Sequence, residues 1–351
     1  TSLVKILPAM NFNHVQLFVL DLRSIRKALN VRILVWLLLF IFSSAAYSQT
    51  SEKFTLLRGY SYQCCEAIGA SISESDSAIA SHSPVRQTNK IHRNRLLFSS
   101  AALVVVNWAA YQPFKQTWWE EERTSFHFYR GWRRTQGYWD FAPGDQLYGY
   151  MDKLGHYYSA RLLSEQFSLL SRWIGFSQHS SKWIGPIISS VLLLEIEIYD
   201  GFFIEWGFSL ADFAANELGA FMPLMENSFP WMNNFRMKFS YYPSRQPQNE
   251  PTFIKDYAGM TFWLSWNVHS ALPKKIKKKY PPWLNLTVGY SIDQQTHGQA
   301  EWYIAPDIDW EKLPLGNTPT LNYFKRALNY LRFPLFALKI TPETKFYFVY
   351  F

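Results

Sequence analysis

The chain has 351 residues, with 35 Lys and Arg against 27 Asp and Glu for a formal net charge of +8, and 18% of its residues are Phe, Trp or Tyr. That length suits two domains of ordinary size, and aromatic side chains at this density gather at membrane interfaces and in envelope proteins. The charge excludes a nucleic-acid surface: half of it lies in residues 1–32, and the rest is smaller than the five lysines of "KKIKKK" at 274–279, so no distributed basic face remains.

An export signal occupies residues 26–48. "RKALNVR" supplies positive charge, "ILVWLLLFIF" a ten-residue apolar core, and "SSAAYS" a small-residue cleavage region ending in Ala46-x-Ser48. The apolar core is short of the ~20 residues that cross a bilayer. Cleavage is expected after Ser48, and translation at Val31, with residues 1–30 as upstream read-through. The two cysteines, Cys64 and Cys65, are adjacent, a spacing that strains a mutual disulfide, and neither stands where a lipid-anchoring cysteine would. A lipid anchor is therefore not expected.

Residues 49–95 read as a flexible Ser-rich linker, with "GASISESDSAIASHSP" offering little to bury. Helical patterning fills 96–232, beginning with the apolar "RLLFSSAALVVVNWAAYQPF". A Pro143-Gly144-Asp145 turn leads to a helix over 150–171. Two more follow, over 183–200 after the "GFSQHSSKW" break and over 209–222, where Ser209 is the N-cap, Asp212 completes a capping box, and Met222-Pro223 ends the helix.

Beyond residue 233 the period changes to two. "TFWLSWNVH" sets Phe262, Leu264, Trp266 and Val268 against Thr261, Ser265 and Asn267, and "WLNLTVGYSI" alternates in the same way. "RMKFSYY", "EWYIAPDID" and "KFYFVYF" repeat the habit, which predicts five or six antiparallel strands, fewer than the roughly eight of a closed single-chain membrane barrel. "PKKIKKKYPP" falls between two of these strands, as a solvated basic turn or a contact for anionic lipid. The terminal Phe351 reads as the end of an edge or closing strand.

Polar residues interrupt the apolar helices at spacings that share a face. Asp152 and His156 are four apart, Glu197 and Asp200 three apart, and Asp212 and Asn216 four apart. Ionised groups in apolar helices need partners, which predicts one convergent cluster. His156 with Asp152, Glu197 and Asp212 has donors for a divalent ion, and Glu197 with His156 has an acid and a base. No serine elbow, second histidine pair or phosphate loop accompanies them, so a hydrogen-bonded clasp between helices is the reading to which the other two are compared.

"DKLGH", "EIEIYDGF" and "WGFSLADFAANELGA" resemble the YfiM-like lipoprotein family of unknown function, and share a polar helix pattern with the VanZ-like proteins linked to teicoplanin resistance. The matching residues are Asp152, Lys153, His156, Glu197, Asp200, Gly201, Ser209, Asp212, Asn216 and Gly219. "KDYAGMTFWLS" and "PPWLNLTVGYS" extend the likeness from about Phe126 to the C-terminus. The resemblance implies no reaction. The expectation is an α+β envelope protein: a helical VanZ-like unit over 96–232 and an antiparallel β-rich unit over 233–351. It would be exported to the periplasm or outer membrane of a Gram-negative cell. A membrane lipid or envelope component is the expected partner, no cofactor beyond a possible divalent metal is implied, and the role is structural or in envelope maintenance; the alternative is a metal- or carboxylate-dependent enzyme acting on a lipid-linked envelope molecule.

Overall fold

The computed structural model describes residues 90–120, 122–130, 149–244, 256–293 and 299–351. The signal peptide, most of the Ser-rich segment and the Pro143–Asp145 turn lie outside these residues. Four long helices come first: α1 (Arg93–Trp118), α2 (Met151–Ile174), α3 (Gln178–Asp200) and α4 (Leu210–Ser228). Six strands follow: β1 (Phe235–Tyr241), β2 (Met260–Trp266), β3 (Leu284–Ile292), β4 (Ala300–Ile308), β5 (Leu335–Thr341) and β6 (Lys345–Tyr350). Short helices α5 (Val268–Ala271) and α6 (Lys274–Lys277) join β2 to β3, and α7 (Pro319–Leu328) joins β4 to β5. The fold is α+β.

Four helix boundaries differ from the sequence expectation, the end of α2 among them, at Ile174 rather than 171. Residues 93–95, expected to close the linker, form the first turn of α1, because Arg95 donates to the Trp173 carbonyl at 2.8 Å and stacks on its indole. α3 starts at Gln178, five residues early, because Ser177 caps it by accepting from the Ser180 amide, so only Gly175 to Ser177 break the chain. Gly175 ends α2 at φ 112°, and its amide donates to the Arg172 carbonyl while that of Phe176 donates to the Ser171 carbonyl, the paired 5→2 and 6→1 bonds of a Schellman turn. α4 runs through Pro223 to Ser228, because Arg161 of α2 pairs with Glu226 at 3.0 Å and holds the turns beyond the proline. Lost ladder bonding at one proline is outweighed by that tertiary anchor.

α2, α3 and α4 pack on one another around Ala160, Leu163, Phe167, Leu193 and Ala220. Glycines set the separation: a Cβ on Gly219 would lie 2.1 Å from the Tyr157 carbonyl oxygen, and one on Gly185 2.2 Å from that of Ser164. These helix backbones touch directly.

The strands form one antiparallel meander in the order β1-β2-β3-β4-β5-β6. β5, over "LFALKIT", carries no clear alternation in the sequence, because Lys339 breaks its apolar run. The sheet curls until its ends approach. Tyr330 and Arg332 bond Phe239 on the free edge of β1, Arg332 donates to the Tyr350 carbonyl of β6 at 2.8 Å, and Tyr242 meets Phe351 at 5.4 Å.

Polar residues occupy the inside of the curl. Lys238 and Asp307, each about 1% exposed, pair at 2.7 Å; Ser265 donates to Asp307 at 2.6 Å, and Asn285 donates to Ser265 at 3.1 Å. Trp263 and Tyr303 fill the rest, and Gly289 leaves room for the Trp263 ring. The apolar side of the alternation therefore faces outward. At one end α2 covers it, with Met151 against Met260, Phe262 and Ile292. Elsewhere Leu264, Val288, Ile304, Leu338 and Phe346, directly opposite one another across five strands, stay exposed.

Candidate functional site

Each helix of the trio delivers its polar residues for a local reason. Asp152, Lys153 and His156 occupy the first two turns of α2, Glu197 and Asp200 the last turn of α3, and Asp212 and Asn216 the first two turns of α4. The start of α4 is pinned by Ser209, whose hydroxyl accepts from the Asp212 amide at 2.9 Å. Because α3 ends where α2 and α4 begin, these turns meet at one end of the bundle.

His156 Nδ1 lies 3.0 Å from Asn216 Oδ1 and 3.5 Å from Glu197 Oε1, and His156 Nε2 lies 3.7 Å from Asp212 Oδ1. Asn216 donates through Nδ2 to Glu197 at 3.1 Å. With the amide so oriented, its Oδ1 accepts from His156, which assigns the proton to Nδ1. Lys153 Nζ bridges Asp152 at 2.8 Å and Asp212 at 2.9 Å. A continuous polar chain thus runs from Glu197 and Asn216, each 1% exposed, through His156, Asp212 and Lys153 to Asp152 at the rim.

Two expected members sit differently. Asp152 reaches the cluster only through Lys153 and is not among the grouped metal-donor residues, because the ammonium stands between it and Asp212. Asp200 stays close enough to Glu197, His156 and Asp212 to feel their charges, but its hydrogen bond comes from Trp119, whose Nε1 donates to it at 2.6 Å. Lys153 and Trp119 are the residues that spacing arguments passed over. Lys153 belonged to the resembled "DKLGH" pattern, whereas nothing in the sequence pairs Trp119 with Asp200.

The electrostatics follow from burial and neighbours. Burial raises the Glu197 pKa well above the ordinary carboxylate range, and the nearby Asp212 and Asp200 add to it. Asp200 is pushed up to about 7 by burial, with the Trp119 hydrogen bond opposing. Burial acts in the same direction on Asp212, but His156 and Lys153 outweigh it and hold that carboxyl below its ordinary value. Burial would weaken the Lys153 charge, yet Asp212 and Asp152 more than compensate and keep it protonated. The result is a charged Lys153–Asp212 side and a proton-retaining Glu197 side, with His156 between them.

One donor atom each from His156, Glu197 and Asp212 lies within 4.8 Å of the others. The imidazole nitrogens, however, face opposite carboxylates, and Lys153 already compensates Asp212. Chemically, the arrangement offers both a hydrogen-bonded network and three donor atoms close to one another.

A family model described as "Predicted periplasmic lipoprotein (DUF2279)" matches residues 139–228, the stretch that carries this cluster. The match agrees with export, and the chain is a periplasmic or envelope-associated protein. Neither the curated proteins nor the solved structures contain a match. Cys64 and Cys65 lie outside the described residues.

Proposed function

We propose that this envelope protein works seated on lipid: the curled sheet and α1 turn apolar surface to acyl chains, and the polar cluster locks the three packed helices in a maintenance or scaffolding role. The observation that carries this reading is the row Leu264, Val288, Ile304, Leu338 and Phe346, exposed by 39–52% on a sheet whose other side is packed with paired polar groups. A water-soluble sheet has the reverse arrangement, because burying charge and exposing hydrocarbon both cost free energy in water. Outward hydrocarbon and inward polarity suit a sheet whose outer solvent is lipid. α1 adds to this, being long and apolar enough over residues 93–116 to cross a membrane, with Val104 and Trp108 exposed along it. Lys274, Lys275, Lys278 and Lys279, in α6 and its flank, lie exposed in the link between β2 and β3.

The test is flotation of the mature chain with phospholipid vesicles. The wild type is expected to float, and the triple variant Val288→Gln, Ile304→Gln, Leu338→Gln to stay at the bottom with its circular dichroism intact. Undiminished flotation of the folded variant would overturn the reading.

The three donors within 4.8 Å favour a second reading, a divalent-ion site at His156, Glu197 and Asp212 in an enzyme acting on a lipid-linked envelope molecule. Metal content of the purified protein, with and without His156→Ala, decides it. Stoichiometric metal lost in the variant supports the ion, and equal trace content in both removes it.

A further inference from the structure

We propose that the hollow at the C-terminal end of α1 binds the phosphate headgroup of a phospholipid, with an acyl chain lying along the exposed stripe of that helix; this rests on the lipid-seated reading above. The hollow has a volume of about 360 Å³ and is lined by Tyr111, Lys115, Trp119, Arg123, Tyr199 and Phe203. Among the described residues its lining has two cations, two phenols, an indole, a phenyl ring and no carboxylate. The Arg123 guanidinium touches only ring faces, 5.6 Å from Phe203 and 5.9 Å from Phe202, and neither it nor Lys115 is ion-paired among the described residues. The Tyr111 and Tyr199 hydroxyls likewise have no hydrogen-bond partner among the described residues; their rings serve as packing, Tyr199 stacking on Trp119 at 4.8 Å. Four donor-bearing side chains thus converge with no carboxylate lining the hollow among the described residues, which is the pattern of a site built for an anion.

The stripe explains why the anion would be lipid-borne. Leu97, Ala101, Val104, Trp108 and Lys115 follow one another at three-, four- or seven-residue steps, so they form one line along α1. That line is exposed, Val104 by 69% and Trp108 by 68%, and it ends at the hollow. Hydrocarbon along a helix, then tryptophan, then a cation is the order met on passing from acyl chains to the headgroup layer. Glu120 and Glu122 neighbour the hollow in sequence, but both are exposed and neither lines it. Asp200 accepts from the Trp119 indole and does not line the hollow.

The experiment titrates the detergent-free mature chain with dihexanoylphosphatidylglycerol below its micelle concentration, following tryptophan fluorescence. Parallel titrations use dihexanoylglycerol, which lacks the phosphate, and inorganic phosphate. The wild type is expected to bind the phospholipid at least tenfold more tightly than either control. The Lys115→Gln, Arg123→Gln double variant is expected to lose that preference while vesicle flotation stays unchanged. Equal binding by the variant, or equal binding of dihexanoylglycerol, would overturn the headgroup site. Inorganic phosphate binding as tightly as the lipid would make it a free-anion site and overturn the lipid assignment. Failure of the wild type to float would strike the lipid-seated reading instead, since the short-chain titration needs no bilayer.

Discussion

At the residue scale, two glutamates on α3 separated by one position have opposite fates. Glu197 is 1% exposed and receives the Asn216 amide, whereas Glu195 is exposed and accepts only from Asn107 at 2.9 Å. Glu197→Ala leaves the buried Asn216 Nδ2 donor without its acceptor and loosens the amide that holds His156, at a cost of about 1–3 kcal/mol. Glu197→Gln keeps an acceptor and a proton-bearing end, so it should lose much less, and Glu195→Ala should stay within about 0.5 kcal/mol. Thermal melts of the three variants check this ordering, and an equal loss for Glu195→Ala would place the wrong face of α3 inward. Asp200 carries the pH dependence. Its native pKa is raised to about 7, so between the ordinary aspartate value and that point the folded chain binds the proton more tightly than the unfolded one. This group therefore contributes stability at low pH that is lost as pH rises through about 7. Asp200→Asn should flatten the melting-temperature profile over that window and leave the variant relatively more stable at pH 8.

At the scale of elements, contact distance matters as much as charge. Gly219 lets α4 rest on the Tyr157 carbonyl of α2, and an added methyl there meets backbone that cannot swing aside. Gly219→Ala is expected to cost about 1–3 kcal/mol and to loosen the cluster one turn away. The measurement is the melt together with hydrogen exchange of the α4 amides. Within the sheet, Lys238 and Asp307 form a buried pair fed by Ser265, by the Ile308 carbonyl and by Asn329. Lys238→Met strands a buried carboxylate and should cost about 3–5 kcal/mol, while the double change with Asp307→Leu should recover a large part of it. A double variant as damaged as the single one would show that Asn329 and Ser265, rather than the pair, hold the inside of the curl.

At the scale of the molecule, helices and sheet are joined by polar bonds as well as by the apolar seam around Met151. Tyr158 of α2 donates to the Tyr330 carbonyl at 2.6 Å, the Tyr330 hydroxyl donates to Glu165 of α2, and Tyr290 of β3 donates to the Gly149 carbonyl at 2.6 Å. Glu165 also meets Arg161, which pairs with Glu226 of α4, so the segment before β5 is tied to two helices at once. Unfolding is therefore expected as one transition, with far-ultraviolet dichroism and tryptophan fluorescence coincident. Tyr330→Phe should lower that midpoint without separating the two signals. Two resolved transitions would mean that helices and sheet are held together by the apolar seam alone.

Periodicity by itself determined that helices come first and antiparallel strands last, because the 3.6- and 2-residue repeats are local properties of the chain. It also determined which polar residues share a helix face: His156, Glu197, Asp212 and Asn216 are legible as outliers in apolar runs. The partners of those outliers were decided in three dimensions. Lys153 displaces Asp152 from the His156 side, and Trp119, 81 positions away, takes Asp200. α4 passes Pro223 because Arg161 of another helix holds its end. The side of the sheet that faces inward is likewise a tertiary outcome. Alternation separates two sets of side chains but does not say which set is enclosed, since that depends on curl, on what packs outside, and on whether the surrounding solvent is water or lipid.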